Sequence, residues 1–426
     1  MSAVSFESWG SADTIGPSCQ TLRFGDFRVG IDFGAGMKGD QRAPIINGKL
    51  DALFVTHGHM DHHGMVPCAL REWPNLPVWA TVETKQFMAW AWYDQLRICE
   101  SDGKEPPFTS DEADRALRRT RVMSVGTTIQ LAEDLTVTPY HAGHILGAVS
   151  LLFCYRGEYI FVTGDTGLRD HWFVPGAKPP TLDRCALLVR ESTYAGLQWE
   201  QTRDEIEDDL VGAVLEVLCG GGRVVIPTLA IDRMPNVYRI LQRACVGKDW
   251  PVWVSGGVEP TNIYARFAPE ASWLGAVNRF ASSRHERQAL YSRGPFVVIA
   301  SSGMVMPRTP SHRWVTAVIR DLRSAIFMVN YQDPTAPGGL ILKSKLGERI
   351  ELEPGSGHTR QRLCKVQRFD LSTHAKEDEM AELERMLNPD LVAHVHGEGD
   401  RIQSFIDAQT SGPQRVRTRV GQEIKL

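Results

Sequence analysis

The sequence predicts an α/β protein in which one domain is interrupted by the insertion of a second. Before about residue 195, short β-rich runs end in Gly, Asp or His, and helical patterns lie between them. From about residue 196, apolar strands and helices alternate, and after about residue 370 the His-ended pattern returns in LVAHVHGEGD. We therefore predict a split first domain, residues 1–195 and 371–426, around an inserted domain of residues 196–370.

The strands of the first domain are predicted from apolar runs that stop at a polar residue or a turn. These runs are FRVGIDFG, LDALFVTHGH, LPVWAT, LTVTPYHAGH and EYIFVTGDTG. A helix is predicted in the second half of WPNLPVWATVETKQFMAWAWYDQL. Because strands that end at one edge of a sheet bring their last side chains to one place, we expect the polar residues after these runs to lie together.

The inserted segment has the alternation that is typical of a mostly parallel sheet. A helical stretch over residues 202–219 is followed by GGGRVVIPT, by a helix to about Cys245 and by PVWVSG. Two further apolar strands are predicted in GPFVVIASSG and RSAIFMVNYQD. The inserted segment is therefore predicted to be a second α/β domain.

Composition excludes some classes of function. The formal net charge is only −4, so a polyanionic partner would have to bind a local basic surface. The sequence has no basic region followed by an apolar one at its start and no uncharged run long enough to span a bilayer, so we expect a soluble cytoplasmic protein without a membrane partner. The eight cysteines form no CxxC pair, so we expect buried, reduced thiols rather than a zinc finger.

The strongest signal is the segment HGHMDH, residues 57–62, directly after the apolar run LFVT. Residues two apart in an extended segment point the same way, so His57 and His59 can bind one ion, while Asp61 and His62 turn toward a second. Imidazole and carboxylate ligands together suit zinc, with iron or manganese as weaker candidates. The alternative is a histidine-rich surface turn, which the density of ligand types within six residues disfavours.

This pattern resembles the HxHxDH signature of the metallo-β-lactamase superfamily, and further motifs of that superfamily follow in order. Asp32 in GIDFG matches the strand-end aspartate that orients the loop, His144 in HAGHILGA the next metal ligand, and Asp165 in VTGDTG a carboxylate that bridges two ions. Singly, each has an ordinary explanation as a turn residue or a core histidine. Their order favours the functional interpretation, whereas His63 and His141 match no role in the pattern.

The resemblance extends to the β-CASP family of metallo-β-lactamase-fold nucleases, nearest to the cleavage-and-polyadenylation endonuclease type and its prokaryotic relatives. Glu191 in ESTY matches the acidic residue of motif A, His374 in FDLSTHAKED the histidine of motif B, and His396 in LVAHVHGEGD the histidine of motif C. A strand-end carboxylate, a helix-capping position and a core histidine are the ordinary alternatives. The resemblance spans nearly the whole chain and implies a metallo-β-lactamase αββα sandwich with an inserted β-CASP α/β domain.

The resemblance also implies a site with two zinc ions per chain, with Mn²⁺ or Fe²⁺ as weaker candidates. One ion takes His57, His59 and His144, the second takes Asp61, His62 and His396, and Asp165 bridges them. A hydroxide formed on the metals attacks the phosphodiester, and His374, oriented by Glu191, protonates the leaving oxygen. The predicted metal ligands are thus His57, His59, Asp61, His62, His144, Asp165 and His396, and the predicted catalytic residues are Asp32, Asp61, Glu191 and His374.

Some positions depart from the family pattern without touching a predicted ligand. Residues 231–233 keep only the arginine of a Gly-Arg pair, Met306-Pro307-Arg308 replaces paired glycines, and Lys376 stands where the family has an aspartate. These departures put the substrate in doubt rather than the hydrolysis. A basic cluster before motif B is either a phosphate-binding wall beside the metals or a solvated, charge-balanced face. It consists of Lys343, Lys345, Arg349, Arg360, Arg362, Lys365 and Arg368.

We predict a zinc-dependent phosphodiesterase, a ribonuclease that cleaves single-stranded RNA. RNA is favoured because His396 in His-Gly-Glu has the RNA-type form of motif C, whereas the DNA-processing branch tends to carry an apolar residue there. The alternatives are a DNA nuclease of the same fold, a small-molecule metallo-hydrolase such as a thioesterase or lactonase, and a non-catalytic scaffold. The inserted domain argues against the small-molecule hydrolase, and the complete ligand set argues against the scaffold. Oligomeric state and the balance of endo- and exonuclease action stay open.

Overall fold

The computed structural model describes residues 4–36, 43–243, 250–268, 270–271 and 294–426. The chain divides into two compact units. The first is formed by Met1–Trp199 together with Thr373–Leu426, and the second by Glu200–Ser372. The first unit is therefore discontinuous in sequence, with the second inserted between its two parts.

The described part of the first unit contains two seven-stranded sheets. In spatial order, the first sheet comprises β21 (Glu423–Lys425), β1 (Val4–Gly10), β2 (Cys19–Phe24), β3 (Phe27–Ile31), β4 (Ala52–Phe54), β5 (Val78–Ala80) and β6 (Thr120–Val122). The second comprises β20 (Gln414–Arg417), β19 (Pro389–Val395), β11 (Cys185–Glu191), β10 (Glu158–Val162), β9 (Val149–Tyr155), β8 (Leu135–His141) and β7 (Ile129–Ala132). Strands β3 to β6 are parallel, as are β10, β11, β19 and β20.

Helices cover the outer faces of both sheets. Those of the first unit, with helix labels in chain order, are α1 (Met60–His63), α2 (Val66–Glu72), α3 (Val82–Asp102), α4 (Ser110–Arg119), α10 (Glu377–Leu387) and α11 (Gly399–Asp407). The inner faces pack on each other, with the rings of Phe54 on β4 and Phe153 on β9 6.1 Å apart. Trp92 of α3 packs on the first sheet and Leu383 of α10 on the second, which gives an αββα sandwich.

The second unit is built on a parallel sheet with the order β13-β14-β12-β15-β18. Its strands are β12 (Val224–Pro227), β13 (Val252–Ser255), β14 (Val297–Ala300), β15 (Ala325–Met328) and β18 (Lys365–Arg368), with a separate hairpin of β16 (Arg349–Glu351) and β17 (Thr359–Gln361). Its helices are α5 (Arg203–Cys219), α6 (Arg233–Arg243), α7 (Val258–Phe267), α8 (Pro310–Val318) and α9 (Pro337–Lys343). Strands β12, β14 and β15 are buried along their whole length, as expected of parallel strands with both faces covered.

The predicted elements are confirmed where the structure describes them. The polar-ended runs of the first domain form β3, β4, β5, β8 and β10, and the helical pattern before residue 102 forms α3. Helix α6 is described as far as Arg243, and Cys245, where this helix was predicted to end, lies outside the described residues. The other seven cysteines are free thiols, but the prediction that all are buried was wrong, because Cys219 is exposed and Cys68 and Cys154 are only partly buried. Within the described ranges, no helix combines the length and apolarity that crossing a membrane requires.

Candidate metal centre

The polar residues that follow the strands of the first unit lie together at one edge of its two sheets. Asp32 follows β3, His57 follows β4, His144 follows β8, and Asp165 follows β10. Glu191 ends β11, and His396 directly follows β19. These strands all present their carboxyl ends to the same edge, so the fold gathers side chains that are far apart in sequence.

Three imidazoles and one carboxylate form a first group of potential metal ligands. Nε2 of His57 lies 3.1 Å from Nδ1 of His59, which lies 3.2 Å from Nε2 of His144. Oδ2 of Asp165 is 3.6 Å from the His57 nitrogen and 3.7 Å from the His144 nitrogen. Four possible ligand atoms therefore face a common point.

Asp61, His62 and His396 form a second group. Nε2 of His396 is 3.7 Å from Oδ2 of Asp61. The carboxylate of Asp165 also reaches this group, with Oδ2 3.4 Å from Nε2 of His62 and Oδ1 3.6 Å from Nδ1 of His396. Asp165 thus lies between the two groups and is within reach of both.

The spacing of the first group fits a tetrahedral metal site. Zinc–nitrogen distances of about 2.0–2.1 Å place neighbouring ligand atoms of a tetrahedron about 3.3–3.4 Å apart. The separations of 3.1–3.7 Å between the His57, His59, His144 and Asp165 atoms bracket that value. In addition, Nε2 of His62 and Oδ1 of Asp165 are buried and make no hydrogen bond. Buried polar atoms without a partner are costly, and a bound cation would satisfy them.

Several of these side chains are in the deprotonated form that can donate an electron pair to a metal ion. Burial lowers the pKa of His59 to about 4 and lowers the pKa values of His57 and His144 well below the usual range, so these imidazoles are neutral. Burial raises the pKa of Asp61, but the His396 imidazole 3.7 Å away and the other surrounding imidazoles bring it down to about 2. Metal ligands must be deprotonated, and His57, His59, His144 and Asp61 meet that requirement at neutral pH. Burial lowers the pKa values of His62 and His396, but the Asp165 carboxylate outweighs burial and raises both.

Hydrogen bonds to the far side of the ring hold three of the histidine ligands, His57, His62 and His144, in one tautomer. Asp32, whose backbone φ is 61°, accepts a 2.7 Å hydrogen bond from Nδ1 of His62 and further bonds from the backbone and hydroxyl of Thr56. The carbonyl of Thr373 lies 3.3 Å from Nδ1 of His144, and the Thr56 hydroxyl 3.1 Å from Nδ1 of His57. These bonds direct the Nε2 atoms of the three rings into the site, whereas His59 faces the site through Nδ1.

His374 and Glu191 form a pair beside the two groups. Nδ1 of His374 donates to Oε1 of Glu191 at 2.9 Å, and its Nε2 lies 4.0 Å from Oδ2 of Asp165. Burial disfavours the charged imidazole, but the carboxylates of Glu191 and Asp165 outweigh it and raise the pKa of His374 to about 9. The second oxygen of Glu191 accepts from the backbone of Thr193, so the carboxylate is itself fixed. His374 is thus a protonated, oriented imidazole next to the ligand groups.

All ten residues predicted for the site lie together, and the sequence interpretation missed three threonines. One is Thr56, whose hydroxyl lies 3.1 Å from Nδ1 of His57. Thr193 Oγ1 contacts Nδ1 of His396 at 3.2 Å, and Thr373 Oγ1 contacts Nδ1 of His144 at 3.2 Å. Each threonine is adjacent or nearly adjacent to a motif residue, which is the only signal that could have identified it. Of the histidines left without a role, His63 contacts the carbonyl of Gly58 through Nε2 at 3.1 Å, and His141 is exposed at the end of β8.

Two features that departed from the family pattern have defined surroundings. The ammonium of Lys376 lies 4.1 Å from the centre of the Trp199 ring in the first unit. In the second unit, Asp232 accepts hydrogen bonds from Tyr264 and Asn236 at 3.0 Å.

The basic cluster of the second unit is mostly exposed, and Lys365 forms an ion pair with Glu216 at 2.7 Å. Whether this cluster binds phosphate stays a prediction.

Two family models match the chain. Residues 31–204 match the metallo-beta-lactamase superfamily, and residues 360–411 match the Zn-dependent metallo-hydrolase RNA specificity domain. The first range contains Asp32 and every ligand up to Asp165, and the second contains His374 and His396. The two models together therefore include the whole candidate metal centre.

The chain is also similar to archaeal proteins along most of its length. It is 26% identical to a probable RNase MJ4 of Methanocaldococcus jannaschii, over 98% of this chain and 99% of the relative. It is 26% identical to the RNase aCSPSF2 of Saccharolobus solfataricus, over 98% of this chain and 84% of the relative. A transcription termination factor FttA of Pyrococcus abyssi is 30% identical over 85% of this chain, which spans 59% of that longer protein.

Among solved structures, a protein of unknown function from Enterococcus faecalis matches over the full length of both chains. The TM-score is 0.60 at 13% sequence identity, so this similarity supports the fold alone. The family models and the archaeal relatives confirm the resemblance that the motifs predicted, including the metallo-β-lactamase sandwich with its insertion. Residues 31–204 therefore belong to the metallo-β-lactamase superfamily, and the chain as a whole is similar to the β-CASP nucleases of that superfamily.

Proposed function

We propose that the protein is a zinc-dependent ribonuclease that holds two zinc ions and cleaves single-stranded RNA. The observation that carries the proposal is the arrangement of two ligand groups sharing Asp165, with the His374–Glu191 pair beside them. One ligand group alone would be consistent with a zinc site of any function. A second ligand group with a protonated imidazole next to it provides the two metal ions and the general acid of a two-metal phosphodiesterase.

The residues divide into two sets of metal ligands. We assign His57, His59 and His144 to one ion and Asp61, His62 and His396 to the other. Asp165 serves both, because its two oxygens face different groups. When bound, two divalent ions would activate water and neutralise the charge that develops on a transferring phosphate. Asp32 contributes indirectly, by holding His62 through its Nδ1 atom.

We assign the proton-donating role to His374. Its Nδ1 atom is engaged by Glu191, so Nε2 is the atom that can give a proton to a leaving oxygen. The Glu191 carboxylate keeps the imidazole protonated and correctly oriented, which is the established use of a carboxylate behind a catalytic histidine. Glu191 therefore acts through His374, whereas His374 contacts the reacting groups.

RNA is the substrate class that the comparisons favour. The RNA specificity model covers His374 and His396, and two of the archaeal relatives carry the name RNase over nearly the whole of this chain. Other relatives are named transcription termination factors, which are longer proteins, so that activity is not carried over. The cytoplasmic location expected from the sequence also stays a prediction.

The first test compares RNA and DNA directly. Zinc-loaded protein is incubated with end-labelled single strands of identical base sequence, and rates are measured under one set of conditions. We expect faster cleavage of the RNA strand. Equal or faster cleavage of the DNA strand would overturn the RNA preference and leave the phosphodiesterase assignment standing. Cleavage of neither strand, with release of product from a thioester or lactone instead, would favour the small-molecule hydrolase.

A further inference from the structure

Four charged side chains lie buried behind the His374–Glu191 pair, and we name them the Arg190 network. Its members are Arg190, Glu377, Glu384 and Arg415. Arg190 donates to Glu377 at 2.9 Å and to Glu384 at 2.8 Å. Arg415 donates to both oxygens of Glu384, at 2.8 and 2.6 Å. The two acids therefore share Arg190, and Arg415 extends the set of ion pairs from Glu384.

The Arg190 network is almost fully removed from solvent. The side chain of Arg190 is 1% exposed, and those of Arg415, Glu384 and Glu377 are 9–14% exposed. Both guanidinium groups also lie 5.5 Å from the centre of the Phe405 ring. Burying charges is expensive, and apolar residues of similar volume often stabilise a protein as well or better. We therefore attribute the directional bonds of the network to the positioning of chain segments rather than to stabilisation of the fold.

The Arg190 network fixes the two chain segments that carry Glu191 and His374. Arg190 directly precedes Glu191 on β11, and successive side chains of a strand point to opposite faces. Glu191 therefore holds His374 on one face, while Arg190 holds Glu377, the first residue of α10, on the other. Glu377 stands three residues after His374, so both ends of this short segment are tied to β11.

Glu377 also ties down the loop after motif A. Its Oε2 atom accepts from the backbone of Gly196 at 3.2 Å, and its own backbone N–H donates to the carbonyl of Leu197 at 2.7 Å. The same loop contains Thr193, whose hydroxyl contacts His396 at 3.2 Å. A shift of Glu377 would therefore move both the segment that carries His374 and the loop beside it.

We propose that Arg190 is a positioning residue for the nuclease reaction, which acts by holding Glu377 and thereby fixing His374 against Glu191. The proposal rests on the proposed function for its catalytic consequence, but not for its geometric one. Misplacement of a reacting group by about 1 Å can cost about 100-fold in rate. We therefore expect Arg190→Gln to lower kcat by about 10- to 100-fold, with KM and zinc content unchanged.

The geometric consequence is tested without any measurement of activity. The full-length chain is labelled with ¹⁵N-histidine, and the Nδ1–H resonance that disappears in His374→Ala identifies His374 among the 13 histidines. In metal-free protein we expect Arg190→Gln and Glu377→Gln to shift or broaden this resonance, because the bond to Glu191 is loosened. Arg184→Gln is the matched control, since Arg184 directly precedes the same strand and forms exposed ion pairs with Glu158 and Asp390. An unchanged resonance in both network variants would overturn the proposal.

The catalytic consequence is tested by a double-mutant cycle on zinc-loaded protein. If Arg190 acts through His374, Arg190→Gln should slow the wild type but change the residual rate of His374→Ala by less than about twofold. Equal slowing in both backgrounds would show a role independent of His374 and would contradict the proposal. Glu377→Gln provides the same cycle if Arg190→Gln does not fold. If the wild type cleaves no RNA, the proposed function fails, and the histidine resonance alone decides whether Arg190 positions His374.

Discussion

Asp165 is the residue on which the two halves of the metal centre depend. Its oxygens lie within 3.4–3.7 Å of nitrogens from both ligand groups. We expect Asp165→Ala to bind less than one zinc ion per chain, because one side chain serves both ions. His59→Ala is the matched comparison, since it removes a ligand of the first group only, and we expect it to keep about one ion. The zinc content is measured by elemental analysis after loading and desalting.

The opposite pattern would contradict the assignment of Asp165. If Asp165→Ala retains as much zinc as the wild type, or more than His59→Ala, then the carboxylate does not bridge the two ions. Circular dichroism of the metal-free variants separates loss of metal from loss of fold.

His374 has a different predicted role from the histidines around it. It is held by Glu191 rather than by the ligand groups, and its pKa is raised to about 9, so it is protonated at neutral pH. We expect His374→Ala to keep both zinc ions and to lose about 10²–10⁴-fold in the rate of RNA cleavage, the usual contribution of a positioned acid. His396→Ala should instead lose zinc. A His374→Ala protein that is empty of metal, or that cleaves at the wild-type rate, would refute this role.

At the scale of single residues, the sequence predicted the site residues whose types and spacing are typical of a metal site. His57, His59, Asp61 and His62 are adjacent in the chain, and the other ligands follow in a recognisable order. Thr373, which contacts the ring of His144, has no such signature, because a threonine forms hydrogen bonds in almost any surroundings. Its role depends on a contact between residues 229 positions apart, which only the folded chain defines.

At the scale of secondary structure, helix α4 is held by an ion pair that gives stability a predictable pH dependence. Glu112 closes a capping box with Thr109 and receives two hydrogen bonds from Arg71 of α2. The Arg71 hydrogen bond and the capping bonds outweigh the effect of burial and lower the pKa of Glu112 to about 2. A carboxylate with a lowered pKa contributes stability above its unfolded pKa of about 4.3, and that contribution is lost as the pH falls through about 2.

We therefore expect Glu112→Gln to destabilise metal-free protein at pH 6 by at most about 1 kcal/mol, the range of exposed ion pairs. The difference from the wild type should shrink as the pH falls from about 4.3 to about 2. Urea unfolding at several pH values measures it, with Glu105→Gln, a change at an exposed position, as the control. A difference that is constant with pH, or that grows as the pH falls, would contradict the pKa of Glu112.

The elements that were predicted best are those with an unambiguous apolar pattern. Strands such as β12 and β14 are continuous apolar runs between glycines and polar turns, and their sequence permits little else. The hairpin of β16 and β17 was treated only as part of a basic cluster, because its short strands are rich in charged and polar residues. The charges of the Arg190 network likewise gave no signal, since a buried ion network looks the same in sequence as a solvated face.

At the scale of the whole molecule, the insertion separates the ligands in sequence but not in space. His374 and His396 follow the second unit in the chain, yet they lie with His57 and Asp165 in the first unit. The chain passes from the first unit to the second between Trp199 and Glu200 and returns between Ser372 and Thr373. Both positions are close to those predicted from the change in the pattern of strands and helices. The interpretation of these ranges as separate domains stays a prediction, as does the role of the second unit in holding RNA.

The central claim is that RNA cleavage depends on a metal centre with two ions. The most direct measurement is a zinc titration of metal-free protein, in which bound zinc per chain and the rate of RNA cleavage are determined in the same samples. We expect no cleavage by the metal-free chain and a rate that reaches its maximum as bound zinc approaches two ions per chain. Full cleavage by metal-free protein, or saturation with zinc that leaves RNA intact, would contradict the account.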